Sequence, residues 1–574
     1  MNQFGEIDPQ KEALQTLLDQ AAYGRIDRRT ALRALGAWGM AAAASIRGFE
    51  EAFAAGDTHK RLAGSPASAF DVIVVGGGSA GAVVAARASE DPHRQVLLLE
   101  AGPTDEGVAS ISNPLIWFTN IQSAYDWKYS YTPQEAVRQR TIIIPRGKVL
   151  GGSSSINALI WVRGAPGDFD AWARNGAAGW GWSDVLPYYK RAEDWQLGAS
   201  TLRGARGPLR CELPDAPHPI AVALIEAAQS LGLPAVEDVN GEAFGGASLA
   251  NLNIKDGTRH NTARAYLRPA MSRPNLTVLT NAQALRLVFE GKRCRGVEIS
   301  VGGSSRRVHA RHEVVLSAGA IDSPRLLLLS GIGDPQELQK LGIPVVADLK
   351  GVGKNLHDHP LLMGVNFEAA EKIAPFRNNC GGSQAFWSSD PSIKVPDIMV
   401  VPIQLPYASA EVAKLYPVPE RSFAVTPGLM RPLSRGQVRL LSATPNGPLE
   451  IQPNLLKERA DLEALMRSVG FALDLGAQPA FRDLVKRAAS PPSRLSPREL
   501  EEFVRLSCSS YFHPVGTCKM GVDPLAVVDP HLKVHGLSGL SVADASVMPS
   551  IPSGNTHAPC VMIGERAAEF LSRA

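Results

Sequence analysis

Short, unbroken apolar runs that end in glycine or an acid mark the chain from residue 70 onward. Phe70-Asp71-Val72-Ile73-Val74-Val75 ends in a glycine cluster, and Gln95-Val96-Leu97-Leu98-Leu99-Glu100 ends in a carboxylate. Glu313-Val314-Val315-Leu316 runs straight into Ser317-Ala318-Gly319. Runs of this length without alternation fit strands buried on both faces, as in a parallel sheet. Helical patterns follow from Ser79 to Ser89 and from Ser323 to Leu329. Elsewhere the pattern changes. The stretches 165–250 and 350–505 are rich in Pro and Trp, and the second holds β-like runs such as Asp397-Ile398-Met399-Val400-Val401. The pattern predicts an α/β fold (α+β overall), with a Rossmann-like nucleotide-binding domain interleaved with a β-sheet substrate-binding domain.

The length of 574 residues supports that division. Single cores stop growing at roughly 250–300 residues. Segments 70–164, 251–349 and 506–574 are assigned to the nucleotide-binding domain, and 165–250 and 350–505 to the substrate domain. Residues 1–69 read differently. Arg28-Arg29 precede an alanine-rich apolar run from Ala34 to Ile46, and Ala52-Phe53-Ala54 offers small residues for cleavage. The run is far short of the ~20 residues a spanning helix needs. It resembles a twin-arginine export signal over 1–54, with a linker over 55–69, and so predicts a periplasmic or otherwise exported protein with no transmembrane anchor.

The first strand opens a GxGxxG made by Gly76, Gly78 and Gly81, with Ser79 inside the loop. Gly76 permits the tight turn, Gly78 lets backbone approach a pyrophosphate, and Gly81 lets the helix pack on the strand. The helix N-terminus then offers unpaired N–H groups and a partial positive charge to the phosphates. Glu100 ends the next strand 19 residues after Gly81, where it can bond an adenosine ribose. The motif does not choose between NAD and FAD. No second such loop follows a second strand, so one dinucleotide is expected.

Net charge is +3 with no Lys/Arg block, which gives no electrostatic case for nucleic acid. The six cysteines are scattered without metal-ligand spacing. His357 and His359 form an HxH without nearby third and fourth ligands, so they are expected to be structural and no metal site is predicted.

Four segments carry a resemblance. They are Arg146-Gly147-Lys148-Val149-Leu150-Gly151-Gly152-Ser153-Ser154-Ser155-Ile156-Asn157, then Gly319-Ala320-Ile321-Asp322-Ser323-Pro324 running on to Gly333. His513-Pro514-Val515-Gly516-Thr517-Cys518-Lys519-Met520-Gly521 follows, and last Asp544-Ala545-Ser546 through Gly554-Asn555-Thr556-His557-Ala558-Pro559 to Glu565. In this order they resemble the glucose-methanol-choline (GMC) oxidoreductases, from about residue 70 to the end. The resemblance implies FAD as cofactor and alcohol oxidation as activity, with oxygen or a quinone or cytochrome as electron acceptor. It implies that Gly151, Gly152 and Asn157 line the flavin, that Ala284 touches the adenine, that Asp544 and Ala545 hold the ribityl–pyrophosphate linkage, and that Asn555 and Thr556 approach the ring. His513 is the implied base and His557 its hydrogen-bonding partner. Members with covalent flavin carry a His where this chain has Ile156, so a dissociable FAD is expected. Choline-oxidising members carry a Glu where this chain has Leu361. Phe512 is expected to form one wall of the pocket, which favours an apolar or aryl substrate among small primary alcohols, and Trp127 is expected to border the flavin site. Hydroxynitrile lyase and fatty-acid photodecarboxylase are alternative activities of the same fold, the latter drawing attention to Cys380.

Overall fold

The computed structural model describes residues 69–572. The export leader expected over 1–54 lies outside the described residues, as does the linker over 55–69 up to Ala69, which opens the first strand.

The apolar runs form one sheet. Its order is Leu276–Leu279, Val96–Leu99, Ala69–Val75, Ser304–Leu316, Arg293–Val301, Ala282–Glu290, and Leu540–Val542 joins the long Ser304–Leu316 strand. The pairings among the buried runs are parallel: Val72–Val75 sit opposite Val96–Leu99 on one side and Glu313–Leu316 on the other. Strands 282–316 add an antiparallel meander. Side chains on Val72–Val75 and Val96–Leu99 are almost wholly buried, as a sheet covered on both faces requires. The helix Gly81–Ala88 lies against this sheet and packs on the C-terminal helix His557–Ser572. A Cβ at Gly81 would stand 1.9 Å from the Gly76 carbonyl oxygen, so only glycine lets helix and strand approach this closely.

The helix expected from Ser323 begins earlier, at Gly319, and contains Pro324. Proline cannot donate to the carbonyl four residues back. That carbonyl, on Ala320, instead accepts from the Thr517 hydroxyl at 2.6 Å, so the helix tolerates the proline.

The second sheet is antiparallel, in the order Val485–Ser490, Asn366–Ala369, Ser422–Leu429, Ile398–Ile403, Ser383–Trp387, Gly246–Leu249. Pro360–Leu362 pairs with it and with Cys508–Ser510. Two sequence assignments therefore shift. Cys508–Ser510, placed by the sequence in the nucleotide-binding segment, belongs to the substrate sheet. Much of 165–211, placed in the substrate domain, shares the core of the first sheet. Phe169, Trp172, Trp180, Tyr189 and Trp195 join that cluster. The reason is polar as well as apolar: the indole N–H groups of Trp172 and Trp180 donate to the Ser550 and Pro530 carbonyls of the C-terminal segment. Among the described residues, no helix is long and apolar enough to cross a membrane.

Candidate active site

A cavity of about 530 Å³ is lined by residues of both layers. Gly76, Gly78, Ser79, Glu100 and Ala284 reach it from the first sheet and its loops. Gly152, Asn157, Asp544, Ala545, Asn555 and Thr556 line it too, with Phe512, His513 and His557. Two expected residues do not. Gly81 sits in the helix–strand contact, and Gly151 donates its N–H to the Gly77 carbonyl at 2.8 Å, shaping the turn from behind.

The Gly/Ser segment presses on the dinucleotide loop. Gly152 has φ +55°, and a Cβ there would lie 2.6 Å from Gly78 Cα. Gly152 thus needs bare backbone where the loops meet, which leaves a narrow floor for a phosphate-bearing group. Glu100 holds the loop from the strand end. Its two oxygens accept from the Gly77 and Gly102 N–H groups at 2.9 and 2.8 Å, while burial pushes its carboxyl up to about 7. Asp544 caps the turn Ala545–Val547 through the Ser546 N–H at 2.7 Å and also receives the Gly319 N–H at 2.9 Å. It ties the C-terminal segment to the start of the Gly319–Leu329 helix.

Asn157 is held by a residue that sequence reasoning passed over. Buried Arg259 donates to Asn157 Oδ1 and to the Asn157 carbonyl, each at 2.7 Å, and to the Ser154 carbonyl at 3.1 Å. Burial lowers the Arg259 guanidinium to about 9. No motif marks it, because it acts across about a hundred residues of chain. Asp168 is a second such residue, bonded to Ser553 beside the Asn555–His557 turn.

The two histidines line one cavity with separate partners. His513 is buried and its backbone N–H donates to Asp358 Oδ1 at 2.8 Å. Asp358 also accepts from Tyr131 and Ser510. Tyr511 stacks on the His513 ring, centroids 4.9 Å apart. Burial, with the Arg146 guanidinium beside it, holds His513 well below the usual imidazole range. His557 places Nδ1 3.2 Å from Ser79 Oγ and meets Trp161 edge-on at 5.6 Å. Burial and Arg259 lower it to about 3. Both imidazoles are therefore neutral at pH 7, and a neutral imidazole can accept a proton.

Phe512 takes a left-handed backbone, φ +67°, which is costly for a bulky residue. The Arg146 guanidinium donates to its carbonyl, and Ser510 Oγ accepts from its N–H at 2.7 Å. Trp127 also lines the cavity, with the Lys148 ammonium 4.7 Å over its ring. Ile156 and Cys380 reach it as well, and the Cys380 thiol donates to the Leu115 carbonyl at 3.2 Å.

The HxH divides. His357 is structural as expected: Nδ1 meets the Asn355 carbonyl at 2.6 Å and Nε2 accepts from the Ile551 N–H at 2.9 Å. His359 is buried beside the other imidazole, its Nδ1 3.0 Å from His513 Nδ1. The pairing of Pro360–Leu362 with Cys508–Ser510 brings these distant residues together, and local sequence carries no sign of it. Among the described residues, no group of three or more His, Cys, Asp or Glu is placed to hold a metal ion.

An FAD fits what the cleft offers. The Gly78–Gly152 floor suits a pyrophosphate, and Asn555 Oδ1 is a buried acceptor without a partner in the protein. Fold and site together define a protein with a dinucleotide-binding loop and two buried imidazoles on the wall of one cavity. Comparison with known proteins then gives the family. The GMC oxidoreductase models match residues 70–361 and 432–564. Human mitochondrial choline dehydrogenase is 40% identical over 540 residues, covering 88% of this chain and 89% of that protein. Pyridoxine 4-oxidase from Mesorbium loti has a TM-score of 0.85 at 36% identity, covering 88% of this chain and 99% of that one. A variant of Aspergillus oryzae formate oxidase, studied for FAD modification, has a TM-score of 0.81 at 28% identity, covering 89% and 99%. The chain belongs to the GMC oxidoreductase family. It is an oxidoreductase acting on CH–OH donors, in a family that binds FAD.

Proposed function

We propose that the enzyme oxidises a small primary, aryl or otherwise apolar alcohol to its aldehyde, with His513 as base and FAD held without a covalent bond. The observation that carries this reading is the buried, neutral His513 at the wall of the cavity. An alcohol proton is too weakly acidic to leave unaided at neutral pH. A positioned general base is worth ~10²–10⁴-fold. Bound FAD supplies the acceptor for the hydride. His513 takes the hydroxyl proton, and His557 hydrogen-bonds the oxygen as it gains charge. Gly76, Gly78, Ser79, Gly152 and Ala284 would hold the dinucleotide, with Glu100 near its ribose, while Asn157, Asp544, Ala545, Asn555 and Thr556 would hold the flavin half.

Two features support the finer points. Ile156 offers no atom for a covalent flavin link. The cavity's acids, Glu100, Asp322 and Asp544, all come from the nucleotide-binding layer, whereas Leu361, Val401, Ile403, Tyr511 and Phe512 present apolar surface. A quaternary ammonium finds no carboxylate on that face, so an uncharged alcohol suits it better. The leader over 1–54 belongs to the same proposal: a periplasmic enzyme passing electrons to a quinone or cytochrome, with oxygen as the competing acceptor.

The test is anaerobic stopped-flow reduction with aliphatic, aryl and sugar alcohols and choline. Apolar and aryl alcohols are expected to bleach the flavin faster than choline. An enzyme that no alcohol reduces would sink the proposal. Acid precipitation should leave the flavin in solution, and flavin retained in the pellet would sink the non-covalent reading.

A further inference from the structure

We propose that His359 is a positioning residue that fixes the tautomer of His513, so that the base's lone pair sits on Nε2. The inference rests on the reading that His513 is the base. The Met430 carbonyl oxygen can only accept. His359 Nε2 lies 3.1 Å from the Met430 carbonyl oxygen. A carbonyl has no proton to give, so His359 Nε2 carries one. A neutral imidazole has a single ring proton, so His359 Nδ1 is an acceptor. That atom lies 3.0 Å from His513 Nδ1, which therefore carries the proton of the bond between them. His513 Nε2 is left bare. An independent contact agrees. Asn555 Nδ2 lies 3.3 Å from that nitrogen, and an amide nitrogen donates and cannot accept.

The chain holds only while His359 stays neutral. Burial lowers it to about 3 although the Met430 and Pro552 carbonyls both favour its protonated form, and the ring meets His513 edge-on at 5.2 Å. The other groups facing His513 do not compete. The Asp358 carboxylate is taken by the His513 backbone N–H, Tyr131 and Ser510. The Arg146 guanidinium is turned to the Phe512 carbonyl, and Tyr511 offers a ring face. In the reaction the alcohol O–H bond breaks and an N–H bond forms at His513 Nε2. Bound FAD would accept the C–H pair as hydride, leaving aldehyde, and the His513 imidazolium keeps its Nδ1–H donated to His359. Removing the His359 acceptor destabilises that imidazolium and frees the ring to adopt the other tautomer, with the proton on the reacting nitrogen.

The direct test is ¹⁵N spectroscopy of the histidine-labelled holoenzyme, with the His513 signals assigned by their loss in His513→Asn. The proposal predicts the Nδ1–H tautomer, and an Nε2–H tautomer overturns it. This readout needs no turnover, so it stands apart from whether alcohols are substrates. Two variants add a second arm. His359→Leu removes the acceptor and should slow alcohol-driven flavin reduction on the order of 10²-fold, with FAD retained and the acid limb of the pH profile moved to lower pH. His359→Asn keeps an acceptor oxygen near the Nδ1 position and should recover most of the rate and the limb. Equal losses in both variants with an unmoved limb would reduce His359 to packing and overturn the proposal.

Discussion

Asp168 grips Ser553 from 385 residues away in the sequence: its carboxylate accepts the Ser553 N–H at 2.7 Å and the hydroxyl at 3.1 Å. It also accepts the Ala165 N–H at 3.0 Å and the Arg431 guanidinium at 2.5 Å. This knot fixes the turn that presents Asn555 and His557. Asp168→Ala leaves the Ser553 and Ala165 N–H groups unpaired, a cost of about 1–3 kcal/mol each. Flavin reduction should fall about tenfold, as a displaced partner implies. Ser553→Ala keeps the backbone bond and should stay close to wild type in both urea unfolding and stopped-flow traces. Equal behaviour of the two variants would contradict the role given to Asp168.

Glu100 binds two backbone N–H groups and also lines the cavity. In Glu100→Gln the amide can accept from one N–H but must turn its NH₂ toward the other. The dinucleotide loop loosens, and FAD affinity should drop about tenfold, equivalent to ~1.4 kcal/mol. Fluorescence titration of the apoprotein measures this. Wild-type affinity would show that the carboxylate is not needed.

The buried histidines make stability depend on pH. His359 and His557 are lowered to about 3 and His260 to about 4, with His357 and His513 also well below the ordinary value near 6.5. Between these values the unfolded chain binds protons that the native protein refuses. Their contribution to stability is complete above pH 6.5 and is lost as pH falls toward 3. Carboxyls raised by burial run the other way, Glu100 to about 7 and Asp168, Glu212, Asp322, Asp358 and Asp544 in the same direction, but His359 and His557 carry larger shifts than Glu100. The thermal midpoint should fall steadily from pH 7 to pH 5. A midpoint that holds or rises across that range would contradict neutral burial of these rings.

Phe512 combines backbone strain with a place on the cavity wall. Phe512→Ala removes apolar contact that the alcohol makes in ground and transition states alike. KM for aryl alcohols should rise about tenfold with kcat little changed. A selective loss of kcat would instead place the ring in the chemistry.

The nucleotide-binding half of this fold was legible because its strands are buried on both faces and its loops need glycine. Gly76, Gly78 and Glu100 line the cavity at the ends of those strands. The rest was hidden for physical reasons. The Trp-rich stretch gave no direction for its indoles, and their acceptors at Pro530 and Ser550 lie hundreds of residues on. The start of the helix at Gly319 depends on Thr517, a tertiary contact that overrides the proline rule. His359 read as half of an idle HxH, because only the pairing of two short strands reveals its neighbour. Local rules reported turns and strand ends well, and were silent on side chains held from across the chain.

The central claim is that the imidazole of residue 513 removes the substrate's hydroxyl proton. His513→Ala, purified with its flavin and mixed anaerobically with an alcohol that bleaches the parent enzyme, tests it most directly. The account predicts an intact flavin spectrum and a reduction rate lower by ~10²–10⁴-fold, whereas bleaching at the parent rate would contradict it.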